Sequence, residues 1–156
     1  MRASAECIAM IKRLEGLRLQ AYRCSANTVT IGYGHTGINV TIGMSITEEQ
    51  AEVFFRQDLA QFETAVNSLV KIPLNQNQFD ALVSWTYNLG PGNLRTSTLL
   101  QVLNAGKYAE VPAQMMRWIY ANKVVNSGLV RRREEEARLF TSVVSMVPSL
   151  QARPKM

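Results

Sequence analysis

The sequence predicts a mostly helical α+β fold: a small lobe of helix plus irregular antiparallel sheet, a long connecting helix, and an all-helical lobe. Three observations predict it. Apolar residues recur at helical spacing through most of the chain after residue 47. Residues 20–46 are instead rich in β-formers broken by glycine. No internal repeat or low-complexity linker divides the 156 residues, and with 47% hydrophobic and 19% charged residues they can bury a sizeable core.

From Ala5 to Leu14, the residues Ile8, Ile11 and Leu14 recur every third position beside Cys7 and Met10, as in an amphipathic helix. Gly16 follows Glu15 where a helix takes its left-handed stop. The β-formers Tyr22, Val29, Thr30, Ile31, Tyr33, Val40, Thr41 and Ile42 come next, punctuated by Asn27, Gly32, Gly34, Gly37 and Gly43. Thr47-Glu48-Glu49-Gln50 has capping-box form and should open a helix. Ala51, Phe55, Leu59, Phe62, Val66 and Leu69 carry its stripe to about Val70, and Pro73 ends it; the length is about 35 Å at 1.5 Å per residue. A second helix takes Asn77 to Leu89, with Phe79, Leu82, Val83 and Thr86 on one side and Gly90-Pro91-Gly92 closing it. Shorter helices are expected over Thr98–Asn104, Val111–Ala121 and Leu129–Val143, and the tail after Pro148 reads as loose. A long helix between two lobes leaves a cleft beside it, a favoured place for a ligand.

Lys and Arg number 17 against 12 Asp and Glu, a net charge of +5. That balance suits a polyanion: nucleic acid, an anionic envelope or an acidic polymer. The positive residues are spread along the chain, with no recognition helix and no basic-aromatic sheet motif, which argues against nucleic acid. No apolar run approaches the roughly 20 residues needed to span a bilayer, so no stable membrane insertion is expected. Glu6 and Lys12-Arg13 leave no room for the apolar stretch of a secretory signal. Two cysteines and one histidine are too few for a disulfide scaffold or a zinc site, and neither metal nor cofactor is expected.

Glu15 is the first candidate for chemistry. It sits at the end of the first helix, where the dipole disfavours a second negative charge and so favours a protonated carboxyl, as a general acid requires. The bland alternative is a solvated helix-end carboxylate. Cys24 and Thr30 lie in the β-region, nine and fifteen residues on; alone, such a cysteine reads as a small buried hydrophobe. His35 alone reads as a structural hydrogen-bonding residue. Arg131-Arg132-Arg133 before Glu134-Glu135-Glu136 is either a solvated helix face or the source of one arginine that reaches Glu15. Trp85 and Trp118 read as core. Cys7 lies about 12 Å from Glu15 along the helix, too far for a bond to a Cys24 placed near that carboxylate, so no disulfide is expected.

Glu15, Cys24 and Thr30 at these spacings, followed by Ile31-Gly32-Tyr33-Gly34-His35, resemble the active-site pattern of the phage-type lysozymes, glycoside hydrolase family 24. The resemblance continues through Pro73–Leu82, Tyr87-Asn88-Leu89-Gly90, Ser97–Leu100 and Leu129–Glu136, and so covers residues 5–142. It implies a lysozyme-like two-lobed fold, in one domain with lobes at about 12–58 and at about 70–145 plus the N-terminal helix. It implies an endolysin that hydrolyses the β-1,4 bond between N-acetylmuramic acid and N-acetylglucosamine in peptidoglycan, with Glu15 as proton donor. Most of the family carry Asp where Cys24 stands, and that carboxylate with the Thr hydroxyl holds the attacking water. Cys24 therefore positions water, attacks the anomeric carbon, or contributes little. Gly34 and His35 would shape the hairpin against the sugar, and Tyr87 either lines the cleft or belongs to the core. The resemblance further implies a monomer held in the host cytoplasm, without cofactor, until a holin-type membrane-perforating protein admits it to the wall. A lytic transglycosylase and a noncatalytic peptidoglycan-binding protein are the competing readings.

Overall fold

The computed structural model describes residues 1–24 and 27–142. Seven α-helices and two small antiparallel sheets make up the regular structure among them. α1 (Ala5–Glu15) begins at Ser4, whose hydroxyl accepts the Cys7 N–H, and ends at Gly16 with φ 73°. β1 (Arg18–Arg23) pairs with β2 (Val29–Gly32), placing Tyr22 opposite Thr30, with an irregularity between Arg18 and Tyr22. Isolated bridges tie Gln20 to Ser45 and Ile31 to His35. The expected sheet is thus shorter than its β-formers suggest. Val40, Thr41 and Ile42 lie in turns, because Val40 N–H bonds the Gly37 carbonyl and Met44 N–H bonds that of Thr41.

α2 (Glu48–Leu69) has both capping-box bonds, between Thr47 and Gln50, and closes at an extended Val70. α3 (Gln76–Leu89) repeats the device with Asn75 and Gln78. Gly90-Pro91-Gly92, expected as a closing loop, opens α4 (Pro91–Thr96), because proline is well placed at a first helical position where no N–H is needed. Ser97 then caps α5 (Thr98–Asn104). The helix expected over Val111–Ala121 is corrected: a 3-10 turn at Tyr108–Glu110 leads into α6 (Val111–Met115), which stops early. Tyr120–Ala121 is strand β3, paired with β4 (Val124–Val125) through left-handed Asn122 and Lys123. α7 (Ser127–Thr141) is capped by Asn126. Its expected end at Val143 and the tail after Pro148 fall outside the described residues.

Two apolar clusters hold these elements. The larger centres on α3, whose residues Phe79–Tyr87 are all buried, with Cys7, Ile11, Phe55, Leu103, Met115 and Phe140 around it. The smaller gathers Ile31, Val40, Ile46 and Ala51 at the sheet and the start of α2. Burying one such Leu or Phe fully contributes about 1.5–3 kcal/mol. Tyr33 packs against both clusters, so the turn after β2 is fixed between them. No helix among the described residues is long and apolar enough to cross a membrane.

Candidate active site

The last turn of α1 is pinned from two sides. Lys12 Nζ reaches Glu52 Oε1 on α2 at 2.6 Å, and Arg13 pairs with Glu135 on α7. Glu15, at the helix end, faces a cleft of about 520 Å³. Its walls bring together residues far apart in sequence: Cys24, Thr28 and Thr30 from the first hairpin, Gly34 from the next turn, Tyr87 and Asn88 from α3, and Tyr120, Ala121 and Asn122 from the second hairpin. Of the residues singled out from sequence, Glu15, Cys24, Thr30, Gly34 and Tyr87 therefore line one cavity.

Glu15 Oε2 accepts a hydrogen bond from Arg132 Nη1 at 2.7 Å, with the Glu15 side chain only 15% exposed. Arg132 is itself buried and held three ways. Its Nε donates to Glu136 Oε2 at 3.0 Å and its Nη2 to the Ser84 carbonyl at 3.0 Å. Glu136, fully buried, also accepts from Ser84 Oγ at 2.6 Å and from Arg133 Nη1. Arg133 completes the cluster by donating to Asn88 Oδ1 and to the Trp118 carbonyl. Two carboxylates thus face two guanidiniums in a largely buried cluster. Burial alone would pull the Arg132 pKa down, but Glu15 and Glu136 outweigh it and hold the charge firmly. Of the two sequence alternatives for the three arginines, Arg131 is solvent-exposed, while Arg132 and Arg133 turn inward.

The second wall is local in origin. Cys24 directly follows β1, its N–H on the Thr28 carbonyl at 3.0 Å. Thr30 is buried, and its hydroxyl donates its one proton to the Thr28 carbonyl at 3.0 Å. The oxygen lone pairs are then what it can offer to a ligand or water. Gly34, at φ 76°, lies directly against the Glu15 carboxylate; a Cβ built there would stand 3.1 Å from Glu15 Cδ and closer still to Oε1. Tyr87 satisfies both of its alternatives. It is 8% exposed, packs against Phe55 and Phe62, donates its hydroxyl to the Tyr33 carbonyl at 2.5 Å, and still lines the cleft. Burial pushes its phenol well above the ordinary range, so it acts as a neutral group.

His35 requires a correction of place. It is not among the residues that line the cleft; its Nδ1 meets Asp58 Oδ2 at 2.8 Å, and its ring stacks on Phe54 at 4.3 Å. Those two residues lie on the long helix, so His35 fastens the turn that carries Gly34 to α2. Neither Cys7 nor Cys24 is in a disulfide. Sequence reasoning missed Asn88, Ser84, Glu136 and the second hairpin. The signal for Glu136 was present in the spacing: it follows Arg133 by three and Arg132 by four, so all three meet on one helix face.

The phage lysozyme family model matches residues 12–136, a span that runs from the last turn of α1 to Glu136. The chain belongs to that family. It is 45% identical over 146 residues to an endolysin of Acyrthosiphon pisum secondary endosymbiont phage 1, covering 91% of this chain and 99% of that protein. It is 44% identical over 142 residues to the endolysin of Bacillus phage B103, with 90% of this chain and 54% of that protein covered, and so spans about half of it. Among solved structures, an endolysin from Escherichia coli O157:H7 phage FAHEc1 superposes with a TM-score of 0.80 at 40% identity, covering 91% of this chain and 94% of that one. The matched span holds every member of the charge cluster around Glu15, so the family resemblance and the cleft coincide.

Proposed function

We propose that this family member is an endolysin-type muramidase, hydrolysing the β-1,4 bond between N-acetylmuramic acid and N-acetylglucosamine in peptidoglycan. The observation that carries the reading is Glu15, held at a helix end in a cleft and facing Thr30 and Cys24 on the opposite hairpin. Arg132 occupies Oε2, which leaves Oε1, beside Gly34, as the oxygen that carries the proton to the leaving glycosidic oxygen. Oxocarbenium character then develops on the muramic sugar, and the ionised Glu15 is steadied by the guanidinium already in contact with it.

Water attacks the anomeric carbon from the hairpin side as the glycosidic C–O bond breaks, and the proton it sheds passes to solvent, from which Glu15 is re-protonated. Thr30 offers its lone pairs as an acceptor that orients the water, and Cys24, standing where most of the family carry Asp, helps to position it. We extend the reading to the chain's surroundings: one lysozyme-like domain of two lobes, acting as a monomer without cofactor or membrane insertion. It would wait in the host cytoplasm and reach the wall through a holin-type protein, at lysis. The +5 charge suits an anionic envelope.

A peptidoglycan digest in heavy-oxygen water, read by mass spectrometry, tests the reaction. Labelled reducing muramic ends, lost in Glu15→Gln, are expected. Unlabelled anhydro-muramic ends would mean attack by the sugar's own hydroxyl, a transglycosylase, and no cleavage would mean a binding protein. Cys24→Ser in the same digest tests the water-positioning role: it should retain the product and lower the rate.

A further inference from the structure

The first hairpin carries a cleft-lining side chain that the proposed reaction leaves without a task. Tyr22 of β1 pairs directly with Thr30 of β2, so the two side chains leave the sheet on one face, and both line the cleft. Two hydroxyls in that cleft are already committed, Thr30 to the Thr28 carbonyl and Tyr87 to the Tyr33 carbonyl. The Tyr22 hydroxyl has no hydrogen-bond partner among the described residues. Its ring is held instead. Arg18, earlier on the same strand and not among the cleft-lining residues, places its guanidinium 4.1 Å from the ring centroid. Burial raises the phenol above its ordinary range and Arg18 pulls it back only in part, so the hydroxyl keeps its proton at neutral pH and remains a donor.

A glycan offers neutral acceptors on every sugar: hydroxyl oxygens and, on N-acetylated sugars, an amide carbonyl. A ligand that enters the cleft displaces the water at the Tyr22 hydroxyl, and a ligand able to replace that hydrogen bond is favoured over one that is not. We infer that Tyr22 binds the glycan. Its hydroxyl donates a hydrogen bond to an uncharged sugar oxygen, and Arg18 is the positioning residue that holds the ring for it. This rests on the muramidase reading and names a further substrate contact of the same cleft. A ring already braced by a cation loses little rotamer freedom on binding.

The test measures kcat and KM on soluble glycan strands for wild type, Tyr22→Phe, Arg18→Gln, Arg18→Lys and the Tyr22→Phe/Arg18→Gln double variant. Phenylalanine keeps the ring over Arg18, and the hydroxyl it lacks bonds nothing in the folded protein, so Tyr22→Phe should melt with wild type. A contact made alike in ground and transition states is read in KM. KM should rise roughly three- to tenfold in Tyr22→Phe, the size of one neutral hydrogen bond, with kcat unchanged. Arg18→Gln should raise KM by less, Arg18→Lys should recover most of that loss, and Arg18→Gln should add little in the Tyr22→Phe background. A KM unmoved in Tyr22→Phe overturns the inference, as does a fall in kcat at constant KM, which would put the hydroxyl on the attacking water. An Arg18→Gln loss of equal size in both backgrounds overturns the positioning role. De-N-acetylated strands identify the acceptor: a Tyr22→Phe loss that disappears on them belongs to the acetamido carbonyl, and one that persists belongs to a hydroxyl. If the wild type cuts no strand, the muramidase reading fails. The Kd of the same strands for wild type and Tyr22→Phe then decides the contact by itself, and equal values overturn it.

Discussion

Replacing Gly34 by alanine separates the geometry of the acid from the stability of the fold. At φ 76° a side chain costs on the order of 1 kcal/mol. The new Cβ would stand 3.1 Å from Glu15 Cδ, where carbons normally approach to about 3.5–4 Å. The obstructed group is the end of a flexible side chain, so the fold adapts and the carboxylate yields. A displacement near 1 Å lowers kcat about 100-fold, or about 2.7 kcal/mol of transition-state stabilisation. Tm should fall by only about 2–6 °C, from the backbone cost and a weakened Arg132 contact. Gly43→Ala is the control: φ is 97° there, and nothing lies within 4 Å of an added Cβ. It should lose similar Tm and keep full activity. Initial rates on purified peptidoglycan with thermal melts by circular dichroism decide the matter. A Gly34→Ala protein within about threefold of wild-type kcat would refute the idea that this close approach places the acid.

Glu136→Gln should destabilise by about 3–5 kcal/mol, because it strands two buried guanidiniums with Glu15 as their remaining carboxylate; Glu134→Gln, on the exposed face, should change stability by less than about 0.5 kcal/mol. Equal melting of the two variants would count against a coupled cluster. Cys7 is 1% exposed and burial pushes its thiol far up, so iodoacetamide at mildly alkaline pH should label Cys24 and spare Cys7. Comparable labelling of both in native protein would contradict the packing of α1 on α3. Burial raises the Asp58 carboxyl above its ordinary value, although the hydrogen bond from His35 pulls it back. The folded state then holds that proton more tightly than the unfolded one, so the contribution is full at low pH and is lost as pH rises from about 4. Tm of wild type minus Tm of Asp58→Asn should therefore shrink as pH rises above about 4, and a difference that widens would reverse the sign of the argument.

Much of this architecture was legible because its signals are local. The Thr47 capping box and the stripe from Ala51 to Leu69 fix α2 without reference to anything else, and Glu15 beside Gly16 marks a helix end. The failures occurred where local signals compete. Val40, Thr41 and Ile42 have β propensity, but flanking glycines let turn hydrogen bonds replace a third strand. Met115 to Ala121 continues a helical pattern, and only the pairing of Tyr120 with Val125 reveals a hairpin. The site divides in the same way. Glu15, Cys24 and Thr30 follow one another closely enough for a pattern to join them. Asn88 and Ser84 sit inside a buried helix and become visible only once α7 lies against it. His35 carried a real signal, but periodicity cannot say which side of a turn a ring will take.

The ion pair between Glu15 and Arg132 joins residues 117 positions apart. A ribosome must therefore have made most of the chain before the acid acquires its partner, and the Glu136 clamp comes four residues later still. A product truncated anywhere before that point carries Glu15, Cys24 and Thr30 but lacks the groups that hold the carboxylate in place. The site is therefore complete only once α7 has been made and packed against α3.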